Sequence, residues 1–75
     1  MIHWTIITTH YRFGKAQSKS RYYDKATFPI AAVVRIAQTS IVNAKAAGEE
    51  LGVAIWQTNA HGLSTDKAPR HVFST

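Results

Sequence analysis

From Ile2 to Tyr11 the chain is rich in β-branched and aromatic residues and alternates in polarity, with Ile2, Trp4 and Ile6 on one face and His3, Thr5 and Ile7 on the other. Both faces carry an isoleucine but only the first row is continuously apolar, so the pattern predicts a central strand with Ile2, Trp4 and Ile6 facing the core. A turn is expected at Phe13-Gly14-Lys15-Ala16, where Gly14 supplies a positive φ at little cost. Gln17 to Asp24 then returns as a second strand, which makes residues 2–24 a hairpin. In this segment Lys15, Gln17, Lys19, Arg21, Tyr23 and Lys25 share one parity, and Ala16, Ser18, Ser20 and Tyr22 the other. The expected arrangement is a protected edge strand: cations and Tyr23 outward in one row, Ser18, Ser20 and Tyr22 toward the core side.

Thr27 suits a helix N-cap, and Pro29 suits a first turn, where its missing N–H removes no helical hydrogen bond. Ile30, Val34, Ala37, Ile41, Ala44, Gly48 and Leu51 then recur at steps of four and three, opposite Arg35, Thr39, Asn43, Ala46 and Glu50. This predicts an amphipathic helix over 28–50, whose alanines allow close approach to a sheet; as a coiled-coil seam the stripe is weak. Ile36 and Val42 flank it. Gly52 is expected to end the helix, and 53–58 reads as a third strand, with Val53 and Ile55 on one face and Ala54 and Trp56 on the other. Residues 59–69 are polar and irregular. Past Pro69, residues 70–74 have the β character of a short fourth strand.

The expected fold is α+β in one domain over 1–75: a small antiparallel sheet of three or four strands, ββαβ or ββαββ, with one long amphipathic helix packed on one face. The third strand should lie antiparallel to the first. The opposite face is left open, so Ile7 and Trp56 need an explanation there, and Tyr11 and Trp56 are candidate contacts on it.

Composition narrows the function. Seventy-five residues build one small core. With 45% hydrophobic and 17% charged residues, that core should fold. The absence of cysteine leaves neither disulfides nor thiolate-held zinc and is compatible with a reducing compartment. No basic leader with an apolar run opens the chain, and no apolar stretch approaches the roughly 20 residues that span a bilayer. A cytoplasmic protein without membrane contact is the expectation. The net charge of +5 and pI near 10.0 favour phosphate backbones or anionic protein surfaces as partners, although +5 also lies in the ordinary range for solubility.

Catalytic patterns are weak. His3, His10, His61 and His71 have no paired spacing, and the acids are only Asp24, Glu49, Glu50 and Asp66, so no metal site is expected. Ser64, Ser74, His61, His71 and Asp66 lie in one irregular segment without a glycine-bounded elbow. No phosphate-cradling glycine loop is present, and no cofactor is implied. The expectation is a protein without catalysis; convergence of His10, His61 and His71 in one pocket would revive an enzyme.

The stretch HYRFGKAQSKSRYYDK, His10 to Lys25, carries Arg12, Lys15, Lys19, Arg21 and Lys25 among the nine cations of the chain, interleaved with Tyr11, Phe13, Tyr22 and Tyr23. Residues two apart on a strand repeat at roughly 6.6 Å, close to the spacing of phosphates along a nucleic-acid strand. Arg12, Lys15, Lys19, Arg21, Tyr23 and Lys25 are therefore candidate binding residues for a partner or a nucleic acid, with Tyr23 available to stack on an unpaired base. A solvated hairpin explains the same row without any partner.

The order of elements and the pattern around AKAAGEELGVAIWQTNAHG, Ala44 to Gly62, resemble a family of small bacterial and phage domains in which a hairpin precedes an alanine-rich helix, a strand, a glycine turn and a last strand. Pro29 and the long loop before Arg70 depart from that pattern. The outline is also similar to small basic phage-encoded anti-CRISPR proteins, which bind CRISPR effector complexes and compete with target DNA. The resemblance transfers no functional residue. It implies a stoichiometric inhibitor of a nucleoprotein or protein partner. RNA or single-stranded DNA binding is the alternative, and a homo-oligomer formed through a sheet edge or the helix flank at Ile36 is a third reading.

Overall fold

A computed structural model describes residues 2–59, 61–64 and 66–75. Its elements are β1 (Ile2–Arg12), β2 (Lys15–Asp24), α1 (Ile30–Ala46), β3 (Glu50–Asn59) and β4 (His71–Ser74). The strands form one antiparallel sheet in the order β2-β1-β3-β4, with α1 on one face. The fold is thus ββαββ, with the fourth strand formed and β1 central.

The hairpin turn decides which side chains share a face. Arg12 pairs with Lys15, leaving only Phe13 and Gly14 in the loop, both at positive φ (52° and 74°). Such a two-residue loop matches the right-handed twist of the flanking strands and locks their register. Directly opposed residues lie on the same face. Arg12, His10, Thr8, Ile6 and Trp4 on β1 therefore share a face with Lys15, Gln17, Lys19, Arg21 and Tyr23 on β2. Across β3 and β4 the same face carries Leu51, Val53, Ile55 and Phe73.

This is the helix face, and it corrects the sidedness expected for β2. The cationic row lies on the core side of the sheet, while Ala16, Ser18, Ser20 and Tyr22 lie on the open side. Tyr22 is 63% exposed and is not a packing residue. Tyr23 packs instead, at the core margin, with its ring edge-on to Phe28 at a centroid distance of 5.2 Å.

The core is Trp4, Ile6, Leu51, Val53 and Ile55 from the sheet against Val33, Ala37 and Ala44 from α1, with Ile30, Val34, Ile41 and Phe73 packed around it. Val33 lay outside the expected stripe, yet it is completely buried. Ile2, expected to face the core, is exposed at the strand's start. Trp4 satisfies its indole N–H by donating to the Phe28 carbonyl at 3.0 Å.

The helix is shorter than the expected 28–50. Asp24 stops β2 in a tight turn, its carboxylate accepting the Ala26 N–H and its carbonyl those of Thr27 and Phe28, so Pro29 rather than Thr27 is the N-cap. At the other end Gly48 (φ 71°) donates to the Lys45 carbonyl and Glu49 to that of Ala44. This is a Schellman closure, with glycine in the left-handed conformation that a side chain resists. Gly48, not Gly52, ends the helix. Glu50 and Leu51 belong to β3, which runs to Asn59 rather than over 53–58.

The open face explains part of its own composition. The Thr5 and Thr58 hydroxyls meet at 2.6 Å, buried. The Tyr11 ring lies over Gly52, where an added Cβ would stand 3.8 Å from Tyr11 Cε2. An aromatic ring thus covers the strand glycine. Ile7 and Trp56 are half-buried beside Thr5 and Thr58, with Gly62 and Ser64 at the edge of the same depression.

Candidate functional site

α1 packs on β3, β4 and β1, and its axis does not reach over β2. The outer strand therefore projects beyond the helix, and a groove of about 450 Å³ opens between them. Its floor is Ile6, Thr8 and Leu51. One wall is the helix ridge Ile36, Ser40 and Asn43; the other is Lys19, Arg21 and Tyr23 of β2; His10 and Glu49 stand at one end.

The ridge exists because residues three and four apart stack along one side of a helix. Sequence reasoning placed Asn43 on the far side of the helix and gave Ser40 and Thr8 no role. The signal was present in the spacing 36, 40, 43, but it has meaning only once the helix is known to stop short of β2. Thr8 donates its hydroxyl to the Lys19 carbonyl at 3.4 Å, and Ser40 donates to the Ile36 carbonyl at 3.1 Å, so both hydroxyl oxygens remain able to accept.

Glu49 is the carboxylate of the groove. It receives the Arg12 guanidinium at 2.7 Å and faces His10 Nε2 at 3.7 Å. Arg12 is thereby committed to an internal ion pair. Lys25 is also engaged: its ammonium donates to Gln57 Oε1 at 3.2 Å and lies 5.3 Å from the centroid of the Trp4 ring. Lys15 sits at the hairpin end, near Gly48, Glu49 and Glu50. Among the described residues, Lys19 and Arg21 have no acidic partner and no side-chain hydrogen bond, and both are exposed.

The six candidate binding residues are therefore unequal. Lys19, Arg21 and Tyr23 converge on the groove, with Tyr23 held by its packing on Phe28. Lys15 extends the row beyond it. Arg12 and Lys25 are held by other groups of the chain. Tyr11 and Trp56 lie on the opposite face of the sheet and cannot act with the cations on one small ligand.

The histidines do not converge. His10 is in the groove, His61 shares a shallow depression with His3 and Tyr22, and His71 stacks on Phe73 at 6.0 Å. No group of three or more His, Asp or Glu positioned to hold a metal occurs among the described residues, and none of their helices is long and apolar enough to cross a membrane. The groove sets two cations without an acidic partner among the described residues on one rim, hydrogen-bonding side chains on the other, and Ile6, Thr8 and Leu51 between them. No family model, curated protein or solved structure matches the chain.

Proposed function

We propose that the chain is a non-catalytic binding protein that acts stoichiometrically on an anionic surface of a protein or nucleoprotein partner, through the β2 side of the groove. The observation that carries this reading is the pair Lys19 and Arg21, exposed on an edge strand without an acidic partner among the described residues. Occupying a surface that a phosphate backbone otherwise uses is one way such a protein inhibits, and a phage-borne inhibitor of host defence is one form it takes.

Direct binding of RNA or single-stranded DNA is the second reading, supported by the two-residue spacing of the cations. Base stacking speaks against it as the primary mode. Tyr23, the aromatic residue of the cationic row, is packed on Phe28, while Tyr11, Tyr22 and Trp56 lie on the other face. A strand held by phosphate contacts on one face would find its stacking partners on the far side of the sheet.

The test is charge reversal at Lys19 and Arg21 in a protein shown to remain folded. Wild-type protein should be retained by heparin and lose affinity steeply between about 50 and 200 mM salt; the double variant should lose about two contacts' worth of that salt slope. Retention and slope unchanged by K19E/R21E would sink the proposal.

A further inference from the structure

We infer that the outer edge of β2 accepts an extended acidic segment of a partner protein, which joins the sheet as a fifth strand. The inference rests on the anionic-surface reading above and specifies the mode of binding. β2 is the outermost strand, and its register against β1 runs unbroken from Lys15 opposite Arg12 to Asp24 opposite His3. No proline, glycine or bulge interrupts it. Every residue from Lys15 to Tyr22 is exposed.

The direction of its free peptide groups follows from one hydrogen bond. Lys25 N–H donates to the Ile2 carbonyl at 3.1 Å, so the peptide groups of this parity face β1. Because an antiparallel strand alternates, Tyr23, Arg21, Lys19, Gln17 and Lys15 pair inward. Ala16, Ser18, Ser20 and Tyr22 direct N–H and C=O away from the sheet. Those outward groups form a ready acceptor ladder. The far edge, β4, spans only His71–Ser74.

Charge selects the occupant. On the helix side the ladder is flanked by Lys15, Gln17, Lys19 and Arg21, three of the four cationic; on the open side by the small Ala16, Ser18 and Ser20 and by Tyr22. An antiparallel second copy would bring residues of the same parity opposite one another, setting Lys19 and Arg21 against their own counterparts. Self-pairing through β2 is thus opposed by its own cations. A segment with Asp or Glu at every second position places carboxylates beside those same side chains and uncharged residues beside the serines. About five to seven residues would span the ladder.

The probe is a synthetic peptide alternating Glu with Val, compared with a peptide of the same composition that has its glutamates in one block. Binding of the alternating peptide should slow amide exchange at Ser18, Ser20 and Tyr22 by at least about tenfold, with Lys19 and Arg21 amides, already paired to β1, little changed. N-methylation of the peptide at alternate residues should cost at least about tenfold in affinity in one register and little in the other. Ser20→Pro, which removes an outward N–H only, should lose the peptide yet keep retention on heparin. If that variant fails to fold, the N-methylated peptides test the same point on unaltered protein.

Heparin retention that depends on Lys19 and Arg21, without protection of the outward amides, would keep the anionic-surface reading and overturn strand addition. Tighter binding of an oligothymidylate than of the alternating peptide, or a dimer in sedimentation that the peptide does not dissociate, would overturn it in favour of nucleic acid or of a second copy.

Discussion

Phe13 occupies a left-handed conformation (φ 52°) at the first central position of the hairpin turn, and its side chain is fully exposed. A non-glycine residue there costs about 1–2 kcal/mol through the clash of Cβ with the backbone, and asparagine tolerates the region better than any bulky side chain. Since the ring buries nothing, Phe13→Asn forfeits no packing. The turn becomes Asn-Gly, the pairing this loop geometry favours. A gain of about 1 kcal/mol follows, which in a domain of this size raises the unfolding midpoint by about 4–8 °C. Thermal unfolding followed by circular dichroism, with urea titration to verify an unchanged m-value, measures it. Gly14→Ala is the opposing control: at φ 74° an added Cβ meets nothing within 4 Å, so the loss it causes is conformational. A midpoint that stays the same or falls in Phe13→Asn would refute the reasoning, showing that the ring makes contacts or that the turn carries no strain.

Thr5→Val or Thr58→Val alone should cost about 1–3 kcal/mol by stranding a buried hydroxyl, whereas the double variant should cost less than the sum; a denaturation cycle reads the coupling, and additivity would refute the pairing. Glu49→Gln releases Arg12 and takes the formal charge from +5 to +6, nine cations against three acids. Retention on heparin should strengthen and its salt dependence steepen. Stability should move by less than about 1 kcal/mol, because the lost surface pair is offset by removing a negative charge from the helix C-terminus. Weaker retention would show that Arg12 contributes only while it is paired.

The elements were legible in the sequence because β1 and α1 carry strong and different periods. Trp4 and Ile6 reach the core as the alternation requires, and Ala37 and Ala44 face the sheet as the helical spacing requires. The helix end is ambiguous in the sequence because Leu51 satisfies two patterns at once: it continues the helical stripe, and it is a core residue of β3. Only the left-handed turn at Gly48 separates them.

The side on which β2 shows its cations is not legible in its own alternation. Parity groups Lys15, Lys19 and Arg21 but does not say which group faces the helix, and the rule that charges point away from the core side does not hold here. The pairing of Arg12 with Lys15 settles it, since a two-residue loop forces the two onto one face. Charges are tolerated there because α1 covers the sheet only as far as β1. No count of hydrophobic positions reports how far to one side a helix lies, so the groove was invisible even though each of its walls was present in the pattern.

Because of that lateral offset of α1, the outer strand is joined to the rest by its backbone ladder to β1 and by Tyr23, while the buried side chains lie under the helix. Trp4, Ile6, Val53 and Ile55 are locked against the helix, whereas from Lys15 to Arg21 the side chains of β2 contribute nothing to the buried core. Substitutions along the strip can therefore change its charge and shape while the helix and the strands beneath it keep their packing.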